Sequence, residues 1–282
     1  MDVLYGFHAV EEALRSGSRA VEYVAVSRER AQGPGPRSPR SAPDPRLEAL
    51  MQLARDNNVT VRTESRDALT RLAQSDQHQG AVAVVRPRPT LALEDLLLPP
   101  TTGQPLFLLA LDGVEDPHNL GALLRTADGA GVTGILIPDR RSAPLNSTVA
   151  RTSAGASEHV RIARVPNLNR ALETIKESNV WTFGLDERGT QDYDAADYTA
   201  NTCLVLGREG EGLHELTRRH CDFLVRIPMS GAIASLNVSV AGAIVMYEAA
   251  RQRRVAAASS SPSPAVPAKT PPPSRPQKGL GS

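Results

Sequence analysis

The chain has 282 residues, 40% of them hydrophobic, with 32 Lys and Arg against 31 Asp and Glu for a formal net charge of +1. That length predicts about two domains, each with enough apolar content for a core of its own. Two cysteines are too few for a disulfide framework, there is no signal-like leader, and no apolar run nears the ~20 residues that cross a bilayer, so a cytoplasmic protein with reduced thiols and no membrane partner is expected.

The near-neutral total conceals an uneven distribution. Residues 1–90 carry 13 Lys and Arg against 11 Asp and Glu, residues 91–250 carry 13 against 20, and residues 251–282 carry 6 against none. A polyanionic partner is therefore expected at the two ends of the chain, while the acidic middle has room for a cationic ligand. Nearly all the basic residues are Arg, which suits bidentate phosphate contact and stacking on bases. A general bias of composition toward Arg accounts for the same count equally well.

Taken in order, the first part predicts helix YGFHAVEEALRSG, strand VEYVAVS, a helix around LEALMQLARDN, strand VTVR, short helix SRDALTRLAQ and strand GAVAVV. These make a small α/β domain over residues 1–85. Within it, residues 31–46 are rich in Pro, Gly and Ser and read as a flexible insertion carrying Arg37, Arg40 and Arg46. Residues 86–104 read as a linker with one apolar helical turn between prolines.

Residues 105–255 are more regular: strand LFLLAL, a helix through NLGALLRTADGAG, strand GILIP, a helix near STVARTSAG, strand VRIARV, helix NLNRALETIKES, strand VWTFGL, and then LVLG and FLVRIP. Strands that are apolar throughout and alternate with helices predict a parallel sheet covered on both faces. Residues 256–282 are low in complexity, basic and proline-rich, and are expected to be a disordered tail.

Three loops could carry chemistry. In LDGVEDPHNLGALLRTADGAG, Pro117 and Asn119 can start a helix, with Asn119 as a possible cap, and Gly121 and Arg125 then share one face. Arg125 would face the ligand side of the sheet or serve as a surface arginine, and Asp112 would form a turn. In LGREGEGL, glycines let backbone approach a ligand, but Glu209 and Glu211 oppose phosphate, and the run matches neither GxGxxG nor a Walker loop. A neutral or cationic ligand fits better. In IPMSGAIASLNVSVAG, Ser230, Gly231, Ser235 and Asn237 offer hydroxyls and backbone to a ligand, although Ser235 or Asn237 could simply cap the next helix. His214 and His220 are six apart, the wrong spacing for one helical face, so no metal is expected. No GxSxG or other triad signature occurs.

In that order, LDGVEDPHNLGALLRTADGAGV, LVLGREGEGL and IPMSGAIASLNVSVA resemble the three motifs of the SpoU/TrmH family of RNA ribose 2′-O-methyltransferases, in the SPOUT superfamily. YGFHAVEEAL and HQGAVAVV resemble the substrate-binding domain that precedes the catalytic domain in this family. The likeness spans roughly residues 3–254 and is nearest to members that act on a guanosine of 23S rRNA.

The resemblance implies an RNA-binding domain over residues 1–85 and a trefoil-knotted α/β domain with a parallel sheet over residues 105–255. It implies S-adenosyl-L-methionine as cofactor, held by Gly207, Ile227 and Leu236, and a catalytic set of Arg125, Asn119, Glu209, Ser235 and Asn237. The implied partners are 23S rRNA or a large-subunit precursor and a second copy of the chain, joined as a homodimer through the knotted domain. By the same resemblance Arg125 is a base or a phosphate clamp, with Asn119 and Glu209 orienting it. A guanidinium ionises only above pH ~12, so neutralising one near pH 7 costs roughly 7 kcal/mol, and both roles stay open. A methyltransferase for tRNA or another rRNA site, and a non-catalytic ribosome-assembly factor, remain the alternatives.

Overall fold

A computed structural model describes residues 1–32, 44–232 and 235–260. The amino-terminal part comprises β1 (Asp2–Tyr5), α1 (Phe7–Ser16), β2 (Val21–Ser27), α2 (Arg28–Gln32), α3 (Pro45–Asp56), β3 (Thr60–Glu64), α4 (Arg66–Ala73) and β4 (Ala81–Val85). The strands form one sheet in the order β1-β4-β2-β3, with β4 antiparallel to both neighbours and β2 parallel to β3. β4 is buried along its whole length, as its unbroken AVAVV run requires. The expected elements are all present, and β1 and α2 are additional. β1 has only four residues, and its partner lies at the far end of the unit, Asp2 opposite Val85. Residues 33–43 of the expected insertion lie outside the described residues.

The remainder comprises α5 (Leu93–Leu97), β5 (Phe107–Leu111), α6 (Pro117–Ala130), β6 (Gly134–Pro138), α7 (Ser147–Thr152), β7 (Ile162–Val165), α8 (Leu168–Glu177), β8 (Trp181–Leu185), β9 (Gln191–Asp192), β10 (Thr202–Leu206), α9 (Glu215–His220), β11 (Phe223–Arg226) and α10 (Val238–Ser260). Its seven strands are ordered β7-β6-β5-β10-β8-β11-β9, and every pairing is parallel. Side chains alternate between the two faces. Leu109, Leu111, Leu204 and Leu206 pack with α6 and α10 residues in one core. Leu108, Ala110, Cys203 and Val205 pack with α5 and α8 residues in another. Each such leucine contributes about 1.5–3 kcal/mol of burial. Burial raises the Cys203 thiol and pushes that of Cys221 up to about 12, so both stay protonated at neutral pH.

The segment between the sheets, read as a linker with one apolar helical turn, carries α5 and is anchored to the larger sheet: Leu91 N donates to Ile162 O at 2.8 Å, and Leu96 is buried in the α5/α8 core. The last helix continues to Ser260, past the expected domain end at 255, because Ala256, Ala257 and Ala258 are strong helix formers. Residues 261–282 of the expected tail lie outside the described residues.

β5 and β10 are neighbours, yet the chain leaves β5 through α6 toward β6 and leaves β10 through α9 toward β11, on opposite sides. Loops that part in this way open a crevice at the carboxyl ends of the strands.

Candidate active site

The loop after β5 is built from its caps. The Asp116 carboxylate accepts from His118 N at 3.0 Å, and Pro117 begins α6, where its missing N–H costs nothing. Asp116 is therefore the cap, which corrects the expectation for Asn119. Asn119 lies inside the first turn, buried, with its amide free for another partner.

The loop after β10 closes on itself. Arg208 N donates to Gly212 O at 2.9 Å, and Gly212 N donates to Arg208 O at 3.0 Å. At Gly207 a Cβ would stand 2.2 Å from the Gly212 carbonyl, so only glycine fits. The two loops are fastened together by Asp112, which the sequence suggested only as a turn former. Its Oδ2 accepts from His214 N at 2.9 Å, and its Oδ1 lies 2.9 Å from His214 Nδ1. A carboxylate only accepts, so Nδ1 carries the hydrogen. Sequence reasoning weighed His214 only as a metal ligand and missed this role. Among the described residues no group of three or more His, Cys, Asp or Glu side chains could hold a metal ion.

Residues from all three loops meet at Glu209. Asn119 Nδ2 donates to Glu209 Oε2 at 2.8 Å, and Asn237 Nδ2 reaches both Glu209 Oε1 and Asn119 Oδ1 at 3.0 Å. Asn237 is also the cap of α10, its Oδ1 accepting from Ser239 N at 2.9 Å and from Ser239 Oγ at 2.6 Å. Capping and site assembly are thus one job of one side chain. Asn237→Ala removes all of these bonds and should cost about 2–3 kcal/mol. Thermal denaturation should show a fall in Tm of about 5 °C or more, and an unchanged Tm would refute the arrangement.

Arg125 does not join this cluster. Six residues along α6 turn it about 240° from Asn119, and among the described residues it makes no hydrogen bond or ion pair. The expectation that Asn119 and Glu209 orient it within one chain is therefore corrected. It is exposed in a separate groove with His8, Glu12, Asp128, Ser153 and His159.

Beside the Glu209 cluster lies an open pocket whose lining includes Gly207, Ile227, Ser235 and Leu236. The three expected cofactor residues and Ser235 thus share one space. Its charged lining is Asp186, Glu187 and Glu211 together with Arg188 and Arg208. Arg208 is engaged by Glu211 at 2.8 Å. Asp186 is buried and was not foreseen. It follows strand VWTFGL at a carboxyl end, and the rule that drew attention to Glu209 would have found it.

The SpoU rRNA Methylase family model matches residues 106–247, and the RNA 2′-O ribose methyltransferase substrate binding model matches residues 38–91. The 23S rRNA (guanosine-2′-O-)-methyltransferase RlmB of Pseudomonas aeruginosa is 42% identical over 253 residues, covering 89% of this chain and 96% of that protein. That of Escherichia coli is 39% identical, covering 89% and 99%. Among solved structures, the SpoU methyltransferase AviRb from Streptomyces viridochromogenes in complex with AdoMet is similar with a TM-score of 0.71 and 25% identity, covering 90% of each chain. An RNA 2′-O ribose methyltransferase is similar with a TM-score of 0.70 and 28% identity, covering 89% and 88%.

Proposed function

The chain belongs to the SpoU rRNA methylase family, and we infer from this that it methylates the ribose 2′-hydroxyl of a guanosine in 23S rRNA, with S-adenosyl-L-methionine as donor. The observation that carries the reading is the joining of the three loops at Asn119, Glu209 and Asn237, beside a cavity lined by Gly207, Ile227 and Leu236. The cavity fits the donor. It has a main-chain cradle at Gly207, apolar walls at Ile227 and Leu236, and carboxylates suited to a cation at Asp186 and Glu187.

When bound, S-adenosylmethionine supplies a methyl group on a sulfonium, already a good leaving group. What remains is to hold the ribose hydroxyl in line, which for well-oriented reactants supplies about 7–11 kcal/mol, and to let its proton pass to a base or to solvent as the C–O bond forms. Glu209 takes amide hydrogens on both oxygens and so pins the first and third loops to the second. Ser235, exposed on the cavity wall, offers a hydroxyl to the substrate side. Arg125, unpaired in the groove toward the amino-terminal unit, is suited to an RNA phosphate, and this favours the clamp over the base. The amino-terminal unit, residues 1–85, binds the RNA, which is mature 23S rRNA or a large-subunit precursor.

The reading includes a trefoil knot and a homodimer. Insertion of β10 between the earlier strands β5 and β8 supports the first. Val240 and Tyr247, about half exposed on one side of α10, support the second as an unpartnered apolar face. Among the described residues no helix is long and apolar enough to cross a membrane.

The test is incubation with labelled S-adenosylmethionine and naked 23S rRNA, followed by mapping of the modified ribose through reverse-transcription stops at low nucleotide concentration. One labelled guanosine ribose is expected. No incorporation into any RNA would overturn the reading in favour of a non-catalytic RNA-binding factor.

A further inference from the structure

The groove that holds Arg125 has one wall from each unit: His8 and Glu12 from α1, and Arg125, Asp128, Ser153 and His159 from the larger unit. A polar contact between the two units is buried close to it. Four hydrogen bonds converge on the Glu158 carboxylate. Arg19 contributes two, from Nε to Oε2 at 2.8 Å and from Nη2 to Oε1 at 2.6 Å. Ser18 Oγ and Ser157 Oγ contribute the others, at 3.1 and 3.2 Å. The Arg19 and Glu158 side chains are 3% and 0% exposed.

The same turn is gripped twice more. Arg88, from the segment between the sheets, donates to the carbonyls of Ser157 and Val160, and His159 Nε2 lies 2.8 Å from Glu12 Oε2. Close approach makes Gly155 obligatory there: its φ is +87°, and a Cβ would stand 2.6 Å from the Glu12 side chain. Just before the turn, Ala150 of α7 is part of the amino-terminal core with Leu4, Val10 and Leu14.

A buried ion pair is an inefficient way to stabilise such a contact. Desolvation costs several kcal/mol per ion, and a well-packed apolar pair of similar volume often holds as well or better. What the bidentate fork adds is direction, because both guanidinium hydrogens must meet both carboxylate oxygens.

We propose that Arg19 and Glu158 are positioning residues for the RNA. Their pair fixes the angle between the two units and so the width of the groove between α1 and Arg125. The amino-terminal unit then presents the RNA backbone to the reaction centre as part of a rigid body, at a set distance, and does not swing to deliver it. The proposal rests on the RNA-methylation reading above.

The full-length wild type, Glu158→Gln and the double variant Arg19→Met with Glu158→Leu are compared on naked 23S rRNA. The double variant is expected to match or exceed the wild-type Tm. It should bind S-adenosylmethionine within about twofold, keep kcat at saturating RNA within about threefold, and raise the KM and Kd for RNA about tenfold through misplacement. Glu158→Gln is expected to raise both RNA constants as well, with a lower Tm. Wild-type KM and Kd for RNA in the double variant would make the pair merely structural and overturn the proposal. A wild type that binds RNA but methylates none would fell the function reading instead, and the RNA Kd of the double variant would still decide for or against the lock.

Discussion

Replacing Arg125 by Ala should lower kcat/KM for methyl transfer about 10³-fold, or roughly 4 kcal/mol, the range for losing one positioned donor to developing charge. The dissociation constant for S-adenosylmethionine, measured by calorimetry, should stay within about twofold, because Arg125 is not in the wall of the cavity beside Gly207. The side chain is exposed and has no partner among the described residues, so its removal leaves no buried group unsatisfied and the Tm should hardly move. An exposed guanidinium without a partner adds nothing to stability and is available to whatever enters the groove. Arg125→Lys tests the geometry of the proposed phosphate contact. A point charge should recover part of a phosphate contact but none of a planar, bidentate one. Undiminished turnover in the Ala variant would remove Arg125 from the reaction.

Gly207→Ala should act at the other half of the site. The added Cβ would fall 2.2 Å from the backbone of Gly212 and 2.4 Å from Leu213 N, and backbone cannot step aside as a flexible side chain can. Relief requires opening the paired hydrogen bonds between Arg208 and Gly212, at the 1–3 kcal/mol or more typical of overpacking. The same movement displaces the cavity wall. Affinity for S-adenosylmethionine should fall about 100-fold, near 2.7 kcal/mol, with a Tm lower by several degrees. Because this loop also carries Glu209, the variant should lose turnover even at saturating cofactor, unlike a simple binding defect. Wild-type affinity would show that the loop does not hold the donor.

The strands were legible to very different degrees. β5, β6 and β10 read as unbroken apolar runs because both faces of the sheet are covered, so every side chain meets a helix. β9 has two residues, partly exposed, and pairs only at the end of β11, so no periodicity exists to detect. Among the caps, Asn119 had the right residue type but stood three positions too late, because Pro117 preset the helical turn and left the cap to Asp116. Local rules ranked the candidates well and assigned their roles less well.

By itself the sequence determined the alternation of strand and helix, the three glycine-bearing and polar loops, and the acidity suited to a cationic donor. Each of these follows from neighbours along the chain, through propensity, capping and the period of apolar residues. Tertiary structure alone decided which polar groups meet. Asn119 reaches Glu209 across 90 residues and Asn237 across 118, and Arg19 reaches Glu158 across 139. Such pairings exist only because β10 inserts beside β5 and residues 147–160 pack against the amino-terminal unit. The physical reason is that hydrogen bonds act over about 3 Å in space, while sequence patterns report only the few residues on either side.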